Sequence, residues 1–373
     1  MSRSFPNLLV TGGAGFIGSA YVRSRLARRD GTRITVLDKL TYAGNEANLD
    51  PVRDDPEQAA RLTFVRGDIA DPTAVVPLVA GADAVVNFAA ESHVDRSILD
   101  PAAFLQTGVI GVYVLLEACR REGERAAAGA RLSAPRFLQV STDEVYGSVA
   151  EGASVETDRL VPRSPYAAAK AAGELLARSY HVTYGLDVVI TRGSNTYGPF
   201  HHPEKLIPLF ITNALDDQQL PLYGDGLQRR DWLHVTDHAA AIDFVLRRGI
   251  AGEVYNVAGG TEMTNRDTVA LLLDLLDKPW SLVRQVEDRP GHDRRYAMDD
   301  TKLTALGWHA SVSFPDGLAR TVAWYREHES WWRAARAGDW EAYYDLQYGR
   351  RLADGSAAPA VERSPTAPGP TEG

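Results

Sequence analysis

Two short stretches carry the residue types from which acid–base chemistry is built. Residues 136–147 read R-F-L-Q-V-S-T-D-E-V-Y-G, an apolar run that ends abruptly in a hydroxyl and two adjacent carboxylates: Thr142, Asp143 and Glu144. Neighbouring carboxylates repel, and burying either costs several kcal/mol unless it is paired or protonated. The stretch is therefore either a solvated turn after a strand or an acid/base pair held at a site. Residues 164–170 read S-P-Y-A-A-A-K, in which Tyr166 and Lys170 are spaced i, i+4 and share one face of a helix. A lysine ammonium beside a phenol lowers the phenol's pKa, which makes Tyr166 a usable general base. By itself Y-x-x-x-K is common and most often a surface pair, so its meaning depends on what the chain places beside it.

A third stretch supplies that context. Gly12, Gly15 and Gly18, in T-G-G-A-G-F-I-G, lie between an apolar strand and the start of a helix. The first glycine permits a tight turn, the second lets a pyrophosphate approach the backbone, and the third lets the helix pack on the strand. Asp38 ends the second apolar run 38 − 18 = 20 residues later. An acid there accepts hydrogen bonds from an adenosine ribose and repels a 2′-phosphate, which favours NAD over NADP. Lys39 is a mild counter-signal. The segment V-R-G-D-I at 65–69 reads as the strand end that meets the adenine.

These residues require a scaffold. β-type runs at Leu8–Val10, Ile34–Leu37, Leu62–Val65, Ala84–Phe88, Phe137–Val140 and Val188–Ile190 alternate with helical patterns near 16–29, 73–80, 101–122 and 165–184. Such alternation predicts an α/β fold, a doubly wound parallel (Rossmann) sheet that binds ligands at the carboxyl ends of its strands. Beyond about residue 196 the pattern loosens into short strands and helices, predicting a smaller α+β substrate lobe. The expected division is 1–195 for the sheet domain, 196–350 for the lobe interleaved with it, and 351–373 for a tail. Trp324, Tyr325, Trp331, Trp332 and Trp340 read as lobe packing. The Pro-, Gly-, Ser- and Ala-rich tail from Ala353 lacks the apolar surface to order itself. There is no internal repeat.

Composition narrows the function classes. The chain has 373 residues, 45% of them hydrophobic, which is ample for a large core, and a net charge of −9 argues against a nucleic-acid binder. No run approaches about 18 apolar residues, and the N-terminus shows no signal-peptide core, so the expectation is a cytoplasmic protein without a membrane partner. The single cysteine, Cys119, excludes an internal disulfide and reads as a buried helix residue. His234 and His238 stand i, i+4, but no third ligand accompanies them, so no metal is expected. His201-His202 reads as a loop.

The chain resembles the extended short-chain dehydrogenase/reductase family and, within it, the nucleotide-sugar 4,6-dehydratases that act on dTDP-glucose. The resemblance spans roughly residues 7 to 350. It rests on 11–19, 37–45 (L-D-K-L-T-Y-A-G-N), 89–98 (A-A-E-S-H-V-D-R-S-I), 141–147, 164–170, 203–208 (P-E-K-L-I-P), 230–238 (R-D-W-L-H-V-T-D-H) and 288–296 (D-R-P-G-H-D-R-R-Y). Its most specific part is the Asp-Glu pair, which related epimerases and decarboxylases usually lack.

The resemblance implies an internal redox cycle with bound NAD, hydride leaving sugar C4 and returning to C6 while water is lost. It assigns Tyr166, helped by Lys170 and Thr142, to the 4-hydroxyl proton, Glu144 to the C5 proton and Asp143 to the departing 6-hydroxyl. Further cofactor contacts are implied at Gly12, Gly15, Phe16, Ile17 and Gly18, and at Asp38, Lys39, Leu40, Thr41 and Gly44. Others fall at Asp68, Ile69, Ala89, Ala90, Ser92 and Thr107, and at Tyr166, Lys170 and Asn195. Substrate contacts are implied at Ser92, Thr142, Asn195, Glu204, Lys205 and Leu206, and at Pro221, Tyr223, Arg230, Asn265, Arg289 and His292. The helices near 101–122 and 165–184 resemble a pair that forms a homodimer interface. Gly108, Gly193 and Thr196 depart from commoner family residues. The alternatives are another nucleotide-sugar dehydratase, a 4-epimerase of the same fold and, more distantly, a non-catalytic NAD-sensing regulator.

Overall fold

The computed structural model describes residues 3–358. Its strands are β1 (Asn7–Thr11), β2 (Arg33–Asp38), β3 (Leu62–Arg66), β4 (Ala84–Asn87), β5 (Arg136–Thr142), β6 (Val188–Gly193), β7 (Asn195–Tyr197), β8 (Leu220–Tyr223), β9 (Arg229–His234), β10 (Val254–Val257), β11 (Glu262–Thr264), β12 (Val283–Val286) and β13 (Ser356–Ala357). Seven of them form one parallel sheet in the order β10-β6-β5-β4-β1-β2-β3. Strand order reverses between β1 and β4, and a doubly wound sheet opens its ligand crevice at that switch point.

Period-two alternation divides the sheet's faces. Leu8, Val10, Ile34 and Val36 point to one side and pack with Ala239, Ile242 and Val245 of the helix Val235–Arg248. Leu9, Leu37, Val85 and Phe137 point to the other and pack with Leu115, Leu116, Cys119 and Ala177. Cys119 is buried, and burial pushes its thiol up to about 12.

The helix Pro165–Tyr184 starts where the sequence demands it. Ser164 caps it by accepting from the Ala167 amide at 3.1 Å, and Pro165 occupies its first turn. Gly185, at φ 68°, ends it. Tyr166 is thereby set in the first turn, at the carboxyl edge of the sheet.

The C-terminal half builds a second core from the helices Leu206–Leu215, Asn265–Leu276 and Phe314–Glu327, with Trp332, Trp340 and Tyr348. Two small sheets, β11-β9-β7 and β13-β12-β8, border it. β10, from this half of the chain, returns to the main sheet and pairs with β6.

One expectation is corrected and another is qualified. The helical stretch Pro101–Ala127 contains an 18-residue window of mean hydropathy 1.6, long and apolar enough to cross a membrane by composition alone, although polar residues interrupt every apolar run in it. Half of that window is buried inside the fold, against the sheet and the helix Pro165–Tyr184. The unstructured tail was expected from Ala353, yet Arg350–Asp354 is helical and Ser356–Ala357 pairs with β12. The Trp280 indole donates to the Ala358 carbonyl at 3.2 Å, which anchors that rung. Residues 359–373, the rest of the expected tail, lie outside the described residues.

Candidate active site

A single cleft of about 380 Å³ runs along the carboxyl ends of the strands, from the glycine turn to the second lobe. At its first end the backbone is packed as a pyrophosphate cradle requires. Gly12 has φ +69°, and a Cβ there would lie 2.6 Å from the Ala89 amide nitrogen. A Cβ on Gly18 would lie 2.2 Å from the Gly12 carbonyl oxygen. Asp38 closes the cradle, accepting from the Ala14 amide at 2.9 Å and the Leu40 amide at 2.8 Å. Lys39 pairs with Asp68 at 2.7 Å, so its charge is directed away from Asp38's carboxyl. Glycines that no side chain can replace, followed by an acid at the second strand's end, fit a dinucleotide with a free ribose diol.

β5 runs on through Thr142, and the next residues form a single 3₁₀ turn, Asp143–Tyr146. Thr142 caps that turn, its hydroxyl accepting from the Glu144 amide at 3.3 Å and donating to Asp143 Oδ1 at 3.1 Å. The same hydroxyl is hydrogen-bonded to Tyr166. Burial, then the neighbouring Glu144, pushes the Asp143 carboxyl well above the usual carboxylate range. Burial also raises Glu144, but Arg289, Lys205 and Arg230 oppose the rise. The pair is thus biased toward a protonated Asp143 beside an ionised Glu144, the division a general acid and a general base need. The solvated-turn reading of this stretch does not hold.

Tyr166 differs from the sequence expectation. Burial and the two carboxylates push its phenol up, and Lys170 does not lower it. The Lys170 ammonium instead donates to the Val140 carbonyl at 2.5 Å, and burial lowers its pKa to about 8. That bond joins a buried polar chain: Thr11 donates to Asn87 at 2.5 Å, Asn87 to Gln139 at 2.8 Å, and Gln139 to the Val140 carbonyl at 3.2 Å. Beneath it, Arg192 of β6 pairs with Glu174 of the helix Pro165–Tyr184 and donates to the Tyr146 hydroxyl at 2.5 Å.

The far end of the cleft is cationic. Arg230 donates to His292 Nε2 at 2.9 Å, so Nδ1 carries the proton and donates to Asp288 at 2.6 Å. Burial and the two arginines hold that imidazole neutral, at about 4. Arg289 reaches Asp95 at 3.1 Å, and the Tyr223 hydroxyl donates to the other oxygen of the same carboxylate at 3.1 Å. Gln347 and Arg351 in turn donate to Tyr223 at 2.7 and 2.9 Å. Guanidinium forks suit a diphosphate, and Tyr223 with Pro221 offers an apolar wall for a base.

The cleft gathers nearly all of the expected site residues. Thr142, Asp143, Glu144, Tyr166 and Lys170 line it with the glycine turn and the second-lobe set from Glu204 to His292. Leu40 is the exception. It sits behind the wall at φ 58°, turning the loop while its amide caps Asp38. Gly108 owes its identity to helix packing, since a Cβ there would meet Ala169 at 3.1 Å. Sequence reasoning missed Glu91, His93, Asp95 and Tyr348, which also line the cleft. His93 and Asp95 stand inside a quoted motif, but nothing in their spacing marks them. His201 lies in a loop as expected, yet lines the cleft with its ring stacked on Phe16 at 4.0 Å.

The GDP-mannose 4,6 dehydratase family model matches residues 9–321. The chain belongs to that family. It is 53% identical to a dTDP-glucose 4,6-dehydratase of Streptomyces niveus, over 89% of this chain and 96% of that protein. It is 45% identical to dTDP-glucose 4,6-dehydratase 1 of Escherichia coli, over 91% and 98%. Among solved structures, a dTDP-glucose 4,6-dehydratase of Streptomyces venezuelae with NAD bound superposes with a TM-score of 0.82, at 53% identity over 88% of this chain and 99% of that one. A UDP-glucose 4-epimerase of Thermus thermophilus, also with NAD, reaches a TM-score of 0.76 at 32% identity, covering 86% and 99%.

Proposed function

We propose that the protein is an NAD-dependent dTDP-glucose 4,6-dehydratase, converting the sugar nucleotide to its 4-keto-6-deoxy form and water. The observation that carries this reading is the buried Asp143–Glu144 pair in the cleft beside Tyr166 and Lys170, with Arg289, Lys205 and Arg230 opposing the rise of Glu144. An epimerase has no need of such a pair, because it expels no hydroxyl.

The glycine cradle and Asp38 hold the cofactor, which supplies a reversible hydride acceptor. Thr142 and Tyr166 share one hydrogen bond and grip the sugar 4-hydroxyl, and Tyr166 draws off its proton. A buried phenol facing two carboxyls is a reluctant acid, so its ionisation needs a nearby positive charge, which an oxidised nicotinamide bound beside it would supply. Glu144, whose ionised form Arg289, Lys205 and Arg230 favour against the cost of burial, removes the proton on C5, which the 4-ketone acidifies. Asp143, kept protonated, donates to the 6-hydroxyl and turns hydroxide into water as it leaves. Arg230, Arg289 and Asn265 hold the diphosphate, and Tyr223 and Pro221 hold the base.

The proposed assembly is a homodimer. Leu105, Ile110, Tyr113, Leu175, Val182 and Tyr184 are exposed apolar side chains on the two adjacent helices 101–127 and 165–184, a face that a second copy would cover. The proposed compartment is the cytoplasm.

Incubation with dTDP-glucose in D₂O, read by mass spectrometry and NMR, tests the chemistry. The expected product is lighter by one water and carries deuterium at C5. A 4-epimer of unchanged composition would overturn the reading. Light scattering that found a stable monomer at micromolar concentration would overturn the assembly.

A further inference from the structure

His238, one of the two histidines whose i, i+4 spacing suggested a metal, has a different setting from its partner. His234 Nδ1 meets the Thr236 hydroxyl at 2.7 Å and caps the helix Val235–Arg248; its Nε2 is also buried and unpaired among the described residues, but its ring does not line the cleft. His238 is 2% exposed and lines the cleft among Gly193, Ser194, Asn195 and Thr196. Its ring lies flat in a slot that exists because residue 193 is glycine. A Cβ there would stand 2.4 Å from Cε1 and 2.5 Å from Nε2.

The hydrogen bonds assign the tautomer. The Thr196 hydroxyl donates its one proton to the Ser194 carbonyl at 3.1 Å. Toward His238 Nδ1, 2.8 Å away, it can then only accept, so Nδ1 bears the hydrogen. Nε2 is left as a bare acceptor, and it is buried with no partner among the described residues. An acceptor shut away from water is costly unless something donates to it. Burial alone holds this imidazole neutral, at about 4, so its natural partner is a neutral N–H or O–H group.

Its place in the fold selects among them. Gly193 pairs in register with Thr142, so His238 stands at the end of the cleft where Thr142, Tyr166 and Lys170 meet, opposite the adenosine end at Asp38 and Asp68. We propose that His238 Nε2 accepts a hydrogen bond from the carboxamide amide of the nicotinamide, with Thr196 fixing the tautomer and Gly193 opening the slot. The inference rests on the reading of NAD as the cofactor. The bond selects a carboxamide over ring substituents that cannot donate and helps fix which face of the ring meets the sugar.

The test is binding, measured by calorimetry on nucleotide-stripped protein with NAD and with 3-acetylpyridine adenine dinucleotide, which carries a methyl group in place of the amide. The wild type should bind NAD about tenfold more tightly, the worth of one buried hydrogen bond. His238→Phe should bind both dinucleotides alike, near the analogue's affinity, and Thr196→Val should fall between. Equal binding by the wild type, or an undiminished preference in His238→Phe, overturns the inference. Should His238→Phe fail to fold by circular dichroism, the wild-type comparison and His238→Gln, which keeps an acceptor and should keep part of the preference, decide it. A wild type that binds no NAD at all overturns the cofactor reading along with this inference, whereas equal affinity for the two dinucleotides overturns this one alone. Loss of dTDP-glucose affinity in His238→Phe, with the dinucleotide preference intact, would reassign the acceptor to a sugar hydroxyl.

Discussion

Two acidic centres lie in the same cleft at the same burial and titrate in opposite directions. Asp143 and Glu204 are each 3% exposed. Asp143 is pushed far above the usual carboxylate range, while Glu204 is held at about 2. Burial opposes ionisation at both, so the difference comes from neighbours. Asp143's nearest charge is another carboxylate, Glu144. Glu204 faces His93, His202, Lys205 and Arg96, the last at 3.0 Å with its guanidinium stacked between the rings of Tyr42 and Tyr343. One carboxyl is thus prepared to give up a proton during turnover, and the other to hold a fixed charge. Burial raises the stakes of ionisation, and the placement of partners decides its direction.

The largest expected effect comes from removing the mobile protons. Glu144→Gln should still permit sugar oxidation but lose C5 exchange and elimination. Asp143→Asn should keep C5 exchange and fail at expelling hydroxide. Tyr166→Phe should stop before any enzyme-bound NADH appears. Each loss should amount to about 10²- to 10⁴-fold in turnover, read by single-turnover absorbance and deuterium incorporation. Wild-type rates in both carboxamide variants would make Asp143 and Glu144 ordinary turn residues.

Glu204→Gln probes the fixed charge. It leaves Arg96 and Lys205 without their counter-ion, so folding stability should fall by about 3–5 kcal/mol in denaturant titrations. Asp38, a third carboxyl raised by burial, is held by two backbone amides and no cation. Asp38→Ala should weaken NAD binding by about tenfold, the worth of one or two ribose hydrogen bonds, and narrow the discrimination against NADP. Competition binding with the two cofactors would show it.

The smaller predictions concern sign. A carboxyl with a raised folded-state pKa adds stability below its unfolded pKa and loses it as pH rises through the folded one. Asp143→Asn should therefore melt roughly 2 °C above the wild type at neutral pH, with the gap closing toward pH 4. Glu204, depressed on folding, contributes above its unfolded pKa and loses that contribution only as pH falls toward about 2. A melting series across pH in which the two variants shift in the same direction would break the contrast. Ending the chain after Ala358 should change turnover little, whereas ending it after Leu352 removes β13 and its rung to β12 and should cost measurable stability.

The cofactor end of this site was largely legible in the sequence, because glycine spacing and strand alternation are local. The acid pair was legible as adjacency. Its protonation was not, since that depends on Arg230, Lys205 and Arg289 arriving from distant segments. The reading of Tyr166 erred for the same reason: i, i+4 spacing placed Lys170 near it, but the ammonium's actual partner, the Val140 carbonyl, lies on another strand. Arg351 bonding Tyr223 spans 128 residues and left no mark in any motif.

The Glu174–Arg192 ion pair touches none of the groups assigned to chemistry, yet it joins the helix carrying Tyr166 to the turn that follows Thr142. With Tyr146 as the third member, the base for the first step and the acid–base pair for the next are tied together through one buried cluster. Displacing either partner would shift both centres together, so the spacing between two successive steps is vested in two side chains that do not line the cleft.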